Sequence, residues 1–233
     1  MDIIIPLAKD KKSNYYELRM TLRSIEKNLS GYRNIYLIGE KPSWVTNVTH
    51  IPLNDLPGKK AFSIFRKIMT AAKEETVSDN FIAWADDTYL LEPLPATEIK
   101  DWYDNTLKHW THLNINSLYR QIIKNTWNLF PDGLFYNVHA PCIYDKGRFQ
   151  ELSKYDFSTT GLLTKSTYFN SRESNPVQMK DPKRQRGLFM STCEKVSVEE
   201  QKLLGSLFPN PSIYETHNKA NAKTTPGMAK VTG

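Results

Sequence analysis

Two adjacent carboxylates, Asp86 and Asp87, close the apolar run Phe81-Ile82-Ala83-Trp84-Ala85, and a second apolar stretch, Tyr89-Leu90-Leu91, follows. The first run reads as a buried strand. The lip at a strand's carboxyl end is where open α/β sheets bind ligands. Paired acidic oxygens there suit a hard divalent cation, Mg²⁺ or Mn²⁺, that in turn holds a diphosphate. The chemistry this points to is transfer from a nucleotide-activated donor, with the cation stabilising the departing nucleoside diphosphate. The competing reading of the pair is a strand-end turn, because Asp favours turns.

Other residues could serve the same chemistry. Arg19 and Arg23 lie four apart and share one helix face. Arg19 falls in the first turns, near the lip of the first strand, where a guanidinium beside a helix start suits a diphosphate. The alternative is surface pairing with Glu17 or Glu26. His139 precedes Ala140-Pro141 and follows an apolar-aromatic segment. It is a candidate second metal ligand, or a base near the acceptor, although a lone histidine is often structural. Two basic segments stand out, Lys9-Asp10-Lys11-Lys12 and Lys180-Asp181-Pro182-Lys183-Arg184-Gln185-Arg186. They offer Lys9, Lys183 and Arg186 as donor-phosphate contacts, or else are solvated loops. His109 and His112 have metal-compatible spacing without an acidic partner. Cys142 lies close to His139 but has no evident acidic orienter. His217, at the edge of the polar tail, is a weak ligand candidate.

The elements that must position these groups alternate. Ile3–Leu7 reads as a first strand, and Asn14 with Glu17 as a capping box for a helix carrying Leu18, Leu22, Ile25 and Leu29. Ile35–Ile38 reads as a second strand, His50–Leu53 as a short third, Lys59–Glu75 as a helix, and Phe81–Ala85 as the strand ending at the aspartates. This alternation predicts an α/β fold, a mostly parallel sheet flanked by helices. The second half is less regular. Helices are expected over Pro95–His109, Leu113–Leu129, Lys146–Tyr155 and Val198–Phe208. Strands are expected within Gly133–Pro141 and at Leu188–Met190, with a polar, basic, aperiodic stretch over 156–187. Residues 1–215 fit one domain, and 216–233 a flexible polar tail.

The chain has 233 residues, 39% hydrophobic and 12% aromatic, and a formal net charge of +6. That charge favours a phosphate-rich partner without naming nucleic acid. It leaves a basic nucleic-acid-binding module as a non-enzymatic alternative, whose salt-sensitive binding would survive loss of Asp86 and Asp87. No run is long enough to span a bilayer, the N-terminus does not read as a signal peptide, and two cysteines make no disulfide framework. A cytoplasmic setting is expected. No glycine-rich phosphate loop is present, so a phosphate site would need a metal and basic side chains.

Several segments together resemble the Stealth family of sugar-phosphate transferases. They are Asn14-Tyr15-Tyr16-Glu17-Leu18-Arg19-Met20-Thr21-Leu22-Arg23-Ser24-Ile25-Glu26-Lys27-Asn28, then Pro42-Ser43-Trp44-Val45, Phe81–Leu91, Val138-His139-Ala140-Pro141 and Phe208-Pro209-Asn210-Pro211-Ser212-Ile213-Tyr214-Glu215. The resemblance implies a GT-A-like fold acting on nucleotide sugars, with Mn²⁺ or Mg²⁺ as cofactor. Stealth proteins transfer hexose 1-phosphate. Here Ile5-Pro6-Leu7-Ala8-Lys9-Asp10 replaces the family's opening and resembles that of ordinary glycosyltransferases. The expectation is therefore a metal-dependent glycosyltransferase in which Asp87 holds the metal, Asp86 binds donor ribose or sugar hydroxyls, and Arg19 and Arg23 face the diphosphate or orient Asp86, with Stealth-like sugar-1-phosphate transfer as the alternative. The acceptor is a sugar hydroxyl or a modified base in DNA.

Overall fold

The first strand, β1 (Asp2–Leu7), is all but fully buried, and its alternating side chains serve two different layers. Ile3, Ile5 and Leu7 face one hydrophobic cluster, and Ile4 faces another. The first cluster is closed by α1 (Tyr16–Asn28) through Leu18, Leu22 and Ile25. After the two-residue β2 (Leu29–Ser30), β3 (Ile35–Gly39) and β4 (Thr49–Ile51), α2 (Lys60–Lys73) closes the second cluster with Phe65, Ile68, Met69 and Ala72. β5 (Asn80–Ala83) completes this α/β unit. The computed structural model describes residues 1–9, 14–192 and 196–216. The expected tail lies outside the described residues from His217 onward.

The central sheet has the order β4-β3-β1-β5 and then an edge strand, β9 (Cys142–Asp145). β1 runs parallel to β3 and β5, β3 parallel to β4, and β9 antiparallel to β5. The fold is thus mixed α/β, with a mostly parallel sheet flanked by helices, as the alternation predicts. Chain order moves outward on one side of β1, through β3 and β4, then returns to β5 on the other side. The sheet's direction of growth therefore reverses at the β1–β5 boundary.

Between β5 and β9 lie β6 (Thr88–Leu90), β7 (Leu94–Pro95), β8 (Asp101–Tyr103), α3 (Leu107–Thr111) and α4 (Ser117–Leu129). The helix expected over Pro95–His109 does not form. β7 pairs with β2, and β8 pairs with β10 (Pro176–Gln178), so backbone groups are satisfied across the fold rather than within a helix. Nor is there a strand within Gly133–Pro141, where the only pairing is a bridge from Leu134 to Thr106. The ladder starts at Cys142, directly after Pro141, which has no amide to donate. Beyond β9 come α5 (Lys146–Gln150), α6 (Thr164–Asn170) inside the stretch read as aperiodic, β11 (Phe189–Ser191) antiparallel to β6, and α7 (Val198–Leu207). The Asn14–Glu17 capping box is absent. Tyr15 is the cap residue, both Asn14 and Tyr15 have positive φ, and no side chain caps α1. Ser197 and Glu200 form such a box on α7. Among the described residues no helix is long and apolar enough to cross a membrane.

Candidate functional site

Asp86 and Asp87 occupy the turn between β5 and β6, at the carboxyl end of β5 and beside the sheet's reversal point. Hydrogen bonds from three directions shape the turn. The Trp84 indole donates to the Thr88 carbonyl at 2.9 Å, the Thr21 hydroxyl of α1 donates to the Asp86 carbonyl at 2.8 Å, and the Thr192 amide donates to the Asp87 carbonyl at 3.2 Å. Helix α1, the residue after β5 and the segment after β11 therefore fix the backbone that carries the two carboxylates.

The carboxylates are not alike. Asp86 keeps an opening to solvent, but the walls around it withdraw enough water to push its carboxyl up to about 7. The Asp87 and Glu17 carboxylates add to that rise, and Lys60, at the start of α2, opposes it. Glu17 also accepts a 2.7 Å hydrogen bond from the Thr192 hydroxyl, which itself meets the Tyr89 hydroxyl at 3.0 Å. Asp87 is paired instead, with Lys183 Nζ 3.1 Å from its Oδ2.

Lys183 carries the site further. Its amide donates to Asp181 Oδ1 at 2.9 Å. The Asp181 oxygens lie 3.0 and 3.1 Å from His139 Nδ1. Burial would raise the Asp181 carboxyl, but the hydrogen bonds from His139 and the Lys183 amide outweigh it and hold the group below the usual carboxylate range. One turn, 181–183, thus links the aspartate pair to the histidine. His139 sits on an irregular segment pinned from α6, where Lys165 Nζ donates to the Val138 carbonyl at 2.9 Å and to the Ala140 carbonyl.

Other predicted residues fall differently. Lys9 is exposed two residues past the end of β1, and Arg186 is exposed on the basic segment. Arg184 lies over the Trp110 ring, 4.5 Å from its centre. Arg19 and Arg23 do share a face, but that face is turned to the C-terminal block. Glu215 accepts from Arg19, and from Arg23 at 2.6 and 2.9 Å, while Arg19 also lies 4.1 Å from the Trp44 ring centre. The Asp86 contact from α1 comes from Thr21, which holds the Asp86 backbone carbonyl, while both arginines are bound to Glu215. Cys142 is a buried residue of β9 whose thiol is pushed up by burial, contrary to what a nucleophile needs. His109 and His112 are exposed at α3. His217 lies outside the described residues.

Among the described residues, no group of three or more His, Cys, Asp and Glu side chains is gathered to hold a metal ion. The donor set nevertheless fits a hard cation whose other ligands come from substrate. Three carboxylates, Asp86, Asp87 and Glu17, act on one another here, the last two adding to the rise that burial gives Asp86, and Mg²⁺ is commonly held by one or two carboxylates plus phosphates and water. The residues that sequence reasoning missed are Asp181, Glu17, Thr21 and Lys60. Only Asp181 had a signal, as the single acid among the basic residues of its segment. No protein-family model matches the chain, and comparison with curated proteins finds no match.

Proposed function

We propose that this protein is a nucleotide-sugar-dependent glycosyltransferase of GT-A-like architecture, assisted by Mn²⁺ or Mg²⁺. The observation that carries this reading is the unequal carboxylate pair at the sheet's reversal point, with Asp86 raised to about 7 near Lys60 and Asp87 paired with Lys183. Such a crevice supplies acidic oxygens for a cation and positive side chains for phosphate. Asp87 would hold the metal, which supplies electrostatic stabilisation of the leaving nucleoside diphosphate. Lys183 would exchange Asp87 for a donor phosphate, and Lys9 and Arg186 lie on segments that could reach the same group. Asp86 would bind donor hydroxyls. His139, joined to this cluster through Asp181, would serve the acceptor hydroxyl, on a sugar or on a modified base in DNA.

A second reading, sugar-1-phosphate transfer as in Stealth proteins, is favoured by one contact. The segments bearing that family's resemblance at the two ends of the chain meet through Arg19, Arg23 and Glu215. Calorimetric titration with nucleoside diphosphates, with Mn²⁺ and with chelator, tests the shared donor site. Binding that needs the cation and is lost in Asp87→Asn is expected. Equal binding with chelator, or in the variant, would overturn the metal-assisted site.

A further inference from the structure

His139 is held from both sides. Its backbone is fastened by Lys165, and Asn137 next to Val138 accepts the Ser166 amide at 3.1 Å. Its ring meets Asp181 through Nδ1. Asp181 is 4% exposed, so this is a buried carboxylate aimed at one ring nitrogen rather than a surface pair. The turn behind it is closed by the Arg184 and Gln185 amides, which donate to the Asp181 carbonyl at 2.8 and 3.0 Å. The His139 side chain is 34% exposed, so the ring is not enclosed. A carboxylate accepting from Nδ1–H selects that tautomer and leaves Nε2 with its lone pair.

We propose that Asp181 is a positioning residue that fixes His139 in the Nδ1–H tautomer, so that Nε2 accepts the proton of the acceptor hydroxyl. This rests on the transferase reading of the crevice. The acceptor O–H gives its proton to Nε2, and its oxygen forms the new bond to the anomeric carbon. The bond from that carbon to the diphosphate oxygen breaks, and its electron pair leaves with the nucleoside diphosphate. The other charged or titratable groups around the pair fit this assignment. Lys183 is turned to Asp87, Lys165 to backbone carbonyls, and the Tyr119 phenol near Asp181 is kept protonated by burial and by the Asp181 charge.

A purely structural role for Asp181, as an anchor for the basic turn, makes different predictions. The test compares Asp181→Asn, Asp181→Glu, His139→Gln and the Asn/Gln double variant with wild type. It measures transfer kinetics and the ¹⁵N spectrum of the His139 ring. Asp181→Asn is expected to lower kcat at least ~100-fold with little change in donor KM, to have no further effect when His139 is already Gln, and to be partly rescued by Glu. The ring spectrum should move from Nδ1–H toward Nε2–H in Asp181→Asn. If His139→Gln loses transfer while Asp181→Asn keeps it, or the two losses multiply, the positioning role is overturned and the base survives. If His139→Gln transfers normally, the base reading falls with the proposal. An unchanged ring tautomer in Asp181→Asn refutes the proposal whether or not the protein turns over any donor tried.

Discussion

Replacing Asp86 with Asn should make the protein more stable at pH 8 and less active at once. The folded protein raises this carboxyl from 3.8 to about 7, through loss of water and repulsion from Asp87 and Glu17. Between those values the folded form binds the proton more tightly than the unfolded chain does. The stability this group contributes is therefore present at low pH and lost as pH rises through 7. Each unit of difference is worth about 1.4 kcal/mol. From pH 5 to pH 8 the wild-type protein should lose about 3 kcal/mol from this source. Asn has nearly the same shape and no titration, so the variant's advantage over wild type should grow by about 2–3 kcal/mol across that interval. Urea denaturation at both pH values, with chelator present, reads it as a midpoint difference that widens by about 1 M. Taking the difference between variant and wild type removes the titrations both share. If that difference is the same at pH 5 and pH 8, Asp86 is an ordinary turn carboxylate and the site does not gather negative charge for a cation.

Two further perturbations test the frame around the site. Arg23→Ala should destabilise by about 3 kcal/mol, because Glu215 is buried and would keep only its other partners. Burial would raise the Glu215 carboxyl, but Arg23, the Ser212 amide and Arg19 hold it below the ordinary value of 4.5, so this stability is present above that value and lost as pH falls beneath it. Denaturant titration at pH 7 and pH 3.5 should show a large penalty for the variant at the first and a small one at the second. Gly39→Ala should cost at least about 3 kcal/mol, since Gly39 has φ +116° and an added Cβ would lie 2.2 Å from the Leu7 carbonyl oxygen. A near-neutral midpoint in the same assay would contradict the close approach of β1 and β3 at their carboxyl ends.

The legible part of the fold is the part whose signal is local. β1, β3 and β5 are buried runs, and α1 and α2 carry clean apolar stripes, so their order and the parallel sheet follow from pattern alone. The misread part depends on distant partners. β8 is three residues long and exists because Pro176–Gln178 comes alongside, more than 70 positions later. Nothing within 95–109 signals that pairing. The site divides in the same way. Asp86 and Asp87 are visible at the end of a buried run. Asp181 is hidden in a segment whose charge reads as solvated, and its inward turn depends on His139, 42 positions away. Arg19 and Arg23 share a face, as their spacing requires, but spacing does not show that Glu215 waits opposite it.

Product analysis shows which bond of the donor breaks. The protein would be incubated with a panel of labelled nucleotide sugars, Mn²⁺ and candidate sugar or glycosylatable DNA acceptors, and the nucleotide products separated by chromatography, with Asp87→Asn as the control. The expected result is release of a nucleoside diphosphate that requires the cation and falls at least ~100-fold in the variant. Accumulation of a nucleoside monophosphate only when acceptor is present would contradict attack at the sugar carbon and establish phosphorus attack instead. Equal turnover by Asp87→Asn would remove the aspartate pair from the chemistry altogether.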